Sequence, residues 1–166
     1  MSRHPEAIVP AAGQESVWDY PRPPRIEPVS ERIVVRFAGE TIAETHGALR
    51  ILETSHPPVC YLPPKDMRMN LIVPAAGSSF CEFKGLASYV TIAVAGRRSE
   101  RAGWLYDNPT AAYRTIAGYI AFYASRIDEA LVGDERVVAQ TGDFYGGWIT
   151  SRIVGPFKGA PGTLGW

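Results

Sequence analysis

The chain has 166 residues, with 17 Lys and Arg against 17 Asp and Glu, and 46% of its side chains are apolar. That length fits one domain with a sizeable core, and the cancelled charge removes the electrostatic basis for non-specific binding to nucleic acid or an anionic membrane. Two cysteines, Cys60 and Cys81, are too few for a four-cysteine zinc site and lack C-x-x-C spacing.

Residues 1–17 carry no clear periodicity and predict a mobile tail. Their apolar segment is too short for a secretion signal or a membrane span, so the chain reads as cytoplasmic with free thiols. WDYPRPPRIEP, residues 18–28, holds four prolines and favours an extended path. Residues 18–31 are therefore read as a Pro-rich arm that Trp18 and Tyr20 pin to its own domain.

From Arg32 the pattern changes. ERIVVRF, the punctuation Gly39-Glu40 and TIAET predict a hairpin. LRILE (49–53) and VCYL (59–62) are two more strands, joined through SHPP and ended by Pro63-Pro64-Lys65-Asp66. LIV (71–73) and SFCEF (79–83) follow, with AAG (75–77) as the turn between them. ASYVTIAV (87–94) is the strongest strand pattern, closed by Gly96. Arg97, Arg98 and Arg101 then read as a solvated turn.

Asn108 is an N-cap residue type and Pro109 suits a first helical position, so a short helix is predicted over 109–117, stopped by Gly118. GYIAFY (118–123) reads as strand, although its apolar spacing also fits a longer helix. RIDEALVGDERVV predicts a hairpin turning at Gly133-Asp134. Residues 139–166 form a Gly-, Pro- and aromatic-rich arm, too apolar for a solvated linker. It is expected to wrap its own domain or a second copy. Short strands separated by turn residues predict a mainly β, antiparallel sandwich or barrel-like domain over 32–138, with one short helix.

Four blocks, LRILETSHPPVCYLPPKDM, CEFKGLASY, GWLYDNP and GYIAFY, occur in this order. In that order and spacing the chain resembles the DUF427 family of domains of unknown function, over about residues 32–137. The flanks WDYPRPP and FYGGWITSRIVGPFKGAPGT resemble the extensions of one subgroup. Cys60 departs from the aromatic or aliphatic residue expected there. The resemblance implies a small, mainly β domain with no established activity and no assigned cofactor. Some relatives carry two such domains in one chain, which implies that a one-domain chain reaches the same arrangement as a homodimer.

The chemistry-bearing candidates cluster in the matching blocks. Cys81 is either a thiol nucleophile, which needs a histidine base, or a small buried apolar residue. His46 and His56 both sit in turn-like segments, and no local motif joins either to Cys81. Lys84 is either a surface lysine or a cation at the mouth of a pocket for a small, anionic ligand. Glu53 and Asp66 are its candidate partners. Tyr61, Tyr89, Trp104 and Tyr106 are either core or the walls of that pocket. The Phe-Lys-Gly of residues 83–85 recurs at 157–159, but neither copy has the glycine spacing of a P-loop. The repeat reads as coincidence. Three functional classes follow: a small-molecule-binding module, a thiol-dependent enzyme, and an oligomerisation protein.

Overall fold

The β-branched run Ile33-Val34-Val35 favours extended backbone. Ala38 and Gly39 then take positive φ, 52° and 78°, and turn the chain back on itself. The computed structural model, which describes residues 4–142 and 144–166, accordingly has this segment as a hairpin. Fifteen short strands make the described fold. They are β1 (Glu15–Ser16), β2 (Arg25–Pro28), β3 (Ile33–Phe37), β4 (Glu40–Thr45) and β5 (Leu49–Leu52). Next come β6 (Val59–Tyr61), β7 (Ile72–Cys81), β8 (Gly85–Val94), β9 (Arg97–Leu105) and β10 (Ile120–Phe122). The last are β11 (Glu129–Val132), β12 (Glu135–Arg136), β13 (Val138–Ala139), β14 (Trp148–Ile149) and β15 (Ile153–Val154).

Two four-stranded antiparallel sheets, in the orders β12-β11-β3-β4 and β10-β9-β8-β7, face each other across an aliphatic core. A three-stranded sheet, β2-β5-β6, continues the second one through reciprocal bonds between Leu62 and Ile120, both 2.9 Å. The architecture is the mainly β, sandwich-like one that the strand pattern predicts. Among the described residues, no helix is long and apolar enough to cross a membrane.

Strand alternation splits the apolar residues of the second sheet between two faces. Val90 and Ile92 of β8 and Ile120 and Phe122 of β10 point to the first sheet, beside Ile33, Val35 and Ile42. Ala87 and Tyr89 of β8, with Ala121 and Tyr123, point the other way, into a second cluster with Tyr61, Trp104 and Tyr106. That second face carries the candidate site.

Several local expectations are corrected. AAG is no turn: β7 runs unbroken through it with a register shift between Ala75 and Ser78, and Gly77 at φ 96° absorbs the irregularity. Arg97, Arg98 and Arg101 are not a turn but lie in β9: pairing to β8 overrides the weak strand preference of Arg97 and Arg98, and Arg101 sits at the irregularity of that pairing with φ 51°. Outward charges settle there, since Arg97 binds both Asp128 oxygens at 2.6 and 2.8 Å.

The predicted helix is a 3-10 segment, Ala111–Ile116, kinked at Tyr113. Its N-cap is Thr110, not Asn108. The Thr110 hydroxyl donates to the Phe83 carbonyl (2.6 Å) rather than to the helix, and its N–H donates to the Lys84 carbonyl (3.0 Å). The Thr110 side chain makes no capping bond to the segment it precedes.

Both flanking arms bind the domain. The segment predicted as a mobile tail is hydrogen-bonded to the C-terminal arm: the Ile8 N–H donates to the Gly155 carbonyl, and β1 pairs in parallel with β15. Trp18 donates its indole N–H to the Pro156 carbonyl at 2.9 Å, and Tyr20 packs with Val17, Leu52 and Ile153. The C-terminal arm wraps its own domain. β14 pairs with β13, and Trp148 is buried in the aliphatic core with its indole N–H on the Phe122 carbonyl (2.9 Å).

Candidate functional site

The second face of the β7–β10 sheet closes incompletely and leaves a cavity of about 270 Å³. Its floor is aromatic. The Trp104 indole N–H donates to the Tyr61 hydroxyl at 3.2 Å, and the two rings meet edge-on with centroids 6.3 Å apart. Tyr106 lies 6.4 Å from Tyr61, and Tyr123 lies 4.6 Å from Trp104. Burial raises the Tyr61 and Tyr106 phenols well above the ordinary tyrosine range and pushes Tyr123 up to about 12. These phenols are therefore neutral hydrogen-bonding groups near pH 7. Tyr89 donates to the Ser79 hydroxyl at 3.0 Å and is covered by Arg101, 4.0 Å above its ring.

One side of the mouth is the β7–β8 turn, residues 82–84, which Gly85 at φ 108° makes possible. The two bonds from Thr110 hold this turn in place. Cys81, the last residue of β7, packs against the tyrosine cluster and lines the cavity. Lys84 lines it too, with Nζ 5.8 Å from the Tyr106 ring centre.

The opposite side comes from the C-terminal arm. Phe144, Tyr145 and Lys158 line the cavity there, and Lys158 Nζ lies 5.2 Å from the Tyr145 ring centre. The arm approaches closely because of Gly146: a Cβ at that position would come within 2.5 Å of the Trp104 ring. The Gln140 side chain braces the arm. Its oxygen accepts from the Gly147 N–H (2.9 Å), and its amide donates to the Lys158 carbonyl (2.6 Å).

The third element is the turn at 53–56. Ser55 sits at φ 73°, and its carbonyl accepts the Lys158 N–H at 2.9 Å, tying the turn to the arm. His56 is buried, edge-on to Tyr145 at 4.9 Å. Its Nδ1 lies 3.0 Å from the Thr54 carbonyl, which only accepts. Nδ1 therefore carries the proton, and Nε2 keeps its lone pair. Burial lowers the His56 pKa, against the opposing pull of Glu53, whose carboxylate lies 3.8 Å from Nδ1. Glu53 itself is ion-paired to Arg22 at 3.5 Å.

The cavity brings together Glu53, Tyr61, Cys81, Lys84, Tyr89, Trp104 and Tyr106. It does not include Asp66, whose carboxylate accepts from the Thr45 hydroxyl at 2.7 Å beside β4. Neither Glu53 nor Asp66 is paired with Lys84 among the described residues. The cavity also takes in Tyr123, Phe144, Tyr145 and Lys158, which are not among the sequence candidates, and His56, which no local motif joins to Cys81. The signal for Lys158 was the second Phe-Lys-Gly, since both copies deliver their lysine to one cavity. Cys60 is elsewhere, fully buried, with its thiol pushed up to about 12 by burial. Among the described residues, no group of three or more His, Cys, Asp or Glu is placed to hold a metal ion.

The family model for the domain of unknown function DUF427 matches residues 25–133. The chain belongs to that family. None of the curated proteins matches the chain. The DUF427 segment supplies the aromatic floor, Cys81, Lys84 and the 53–56 turn. Tyr145 and Lys158 come from the arm beyond it.

Proposed function

We propose that this DUF427 protein is a small-molecule-binding β module whose aromatic cavity takes a small anionic ligand beside Lys84. The observation that carries this reading is the convergence of Lys84 and a wall of neutral, buried phenols on one cavity of about 270 Å³. Aromatic walls with a few convergent polar groups are the usual make-up of small-ligand sites. The test is mass spectrometry of small molecules released when the natively purified protein is denatured. Lys84→Met should lower the recovery of the bound compound and leave the urea midpoint unchanged. Equal recovery from both proteins overturns the role given to Lys84.

One observation favours a second reading, a thiol-dependent enzyme. Cys81 and His56 line the same cavity, and the Thr54 carbonyl leaves His56 Nε2 unprotonated as a base requires. Iodoacetamide alkylation of the native protein, followed against pH, decides. A Cys81 that stays inert until denaturation removes the enzyme.

Self-association is a further part of the proposal. The arm's Trp148 is consumed within its own domain, and we assign the homodimer contact to exposed apolar residues at and beside the cavity mouth. Phe80, Leu86 and Phe144 are 73%, 59% and 60% exposed, and Phe80 pairs directly across from Leu86. Sedimentation of Phe80→Glu beside wild type should show loss of the dimer. A wild-type chain that sediments as a monomer refutes it.

A further inference from the structure

Lys84 and Lys158 reach the cavity from separate elements, the β7–β8 turn and the C-terminal arm. Each is half-buried and lies over a tyrosine ring, at 5.8 and 5.2 Å. Among the described residues neither ammonium is ion-paired to a carboxylate, whereas Arg22, Arg32, Arg36, Arg50 and Arg97 all are. Of the two acids at the cavity, Glu53 is engaged by Arg22, and Glu82 is exposed on the turn. Among the described residues the wall thus carries two lysine charges without an ion-pair partner, against the single unengaged carboxylate of Glu82, beside π faces that also favour cations. Partial burial strengthens the pull of both on any anion that enters. The remaining wall offers aromatic faces and neutral phenols for a flat apolar body.

We infer that the C-terminal arm completes the site as an aryl-anion pocket: the ligand is a small aromatic compound bearing a phosphate or carboxylate, and Lys158 is a specificity-determining residue beside Lys84. This rests on the small-molecule reading above and adds the ligand class and the second cation. The volume agrees. About 270 Å³ lies just under the range of roughly 300–1,000 Å³ typical of drug-sized ligands, so one ring with one acidic group fits. The arm's position is itself specified. Gly146 permits contact with Trp104, Gln140 braces two of its backbone groups, and the Lys158 N–H is fixed on the Ser55 carbonyl.

The experiment is isothermal titration of the full chain with phenyl phosphate, benzoate and benzyl alcohol, using wild type, Lys84→Met, Lys158→Met and Lys158→Arg. Urea melts establish that each variant is folded. Phenyl phosphate or benzoate should bind more tightly than benzyl alcohol, and added salt should weaken only the two anions. Lys158→Met should weaken the anions about tenfold and benzyl alcohol by less than about twofold, with Lys158→Arg restoring most of the loss. Whether phosphate or carboxylate binds better assigns the acidic group. Equal binding of all three probes, or an anion affinity indifferent to Lys158→Met, overturns the inference and leaves the aromatic cavity standing. Failure of wild type to bind any of the three, with no small molecule released on denaturation, overturns both.

Discussion

The two faces of the β7–β10 sheet are both buried, yet they are built differently. The face toward β3 and β4 is filled by Val90, Ile92, Ile120 and Phe122, side chains without polar atoms. The opposite face carries Tyr61, Tyr89, Trp104, Tyr106 and Tyr123, each with a polar tip. Branched aliphatic groups interdigitate to crystal-like density. Rigid rings whose hydroxyls and indole must stay hydrogen-bonded keep fixed angles and separations, and here they leave a hole. One sheet thus has a face that holds the fold together and a face that is available to a guest.

The most damaging test of that contrast is Phe122→Ala. Removing a fully buried ring from the aliphatic face should cost about 3–5 kcal/mol in a urea melt. The comparison breaks if the loss is no larger than for changes on the aromatic face. Gly146→Ala comes next. It forces a methyl into Trp104 and strains a backbone at φ 71°, so destabilisation of about 1–3 kcal/mol is expected, together with a displaced arm. Trp104→Phe removes the donor to Tyr61 and the second ring of a buried indole, and should cost about 1–2 kcal/mol.

His56 sharpens the comparison through pH. Its folded pKa lies below the ordinary 6.5 because the ring is buried, so the unfolded chain binds the proton more readily. Its stabilising contribution is therefore complete above about pH 6.5 and is lost as the pH falls from there through the lowered folded pKa. Urea midpoints between pH 7.5 and 5.5 should fall more for wild type than for His56→Gln. Equal slopes contradict the assignment. The smallest effect belongs to Lys84→Ala: with no ion partner among the described residues, stability should change by at most about 0.5 kcal/mol. A loss of several kcal/mol would mean that the lysine is part of the fold rather than of the cavity.

What the sequence made legible follows from range of interaction. The β3–β4 and β11–β12 hairpins announce themselves because β-branched runs and a glycine turn lie within a dozen residues. β9 does not, since Arg97 and Arg98 are extended only by pairing with β8, and Arg101 sits at an irregularity of that pairing with φ 51°. The short helix was legible from Asn108 and Pro109, but its 3-10 form and its Thr110 N-cap were not, since the Thr110 hydroxyl is taken by the distant Phe83 carbonyl. At the site, the residues inside the family blocks could be gathered by pattern. Lys158 lies outside those blocks and reaches the cavity because its N–H bonds the Ser55 carbonyl, 103 positions earlier, while His56, inside the first block, carried no local sign that it would share a cavity with Cys81. Asp66 misled because it follows Tyr61 closely in sequence, although the fold turns its carboxylate toward Thr45.

The shift in β7 has a consequence for how these molecules behave in a crowd. β7 is the outermost strand of its sheet, ten residues long, and not one of them is charged. A long neutral rim strand of this kind is a template on which another chain can zip up into an intermolecular ladder. Pro74 withholds a donor at its third position, and the irregularity at Ala75–Ser78 with Gly77 bends the strand out of a straight template. Charged gatekeepers are absent from this strand, so removing either interruption, as in Pro74→Val, is expected to raise fibre-like aggregation.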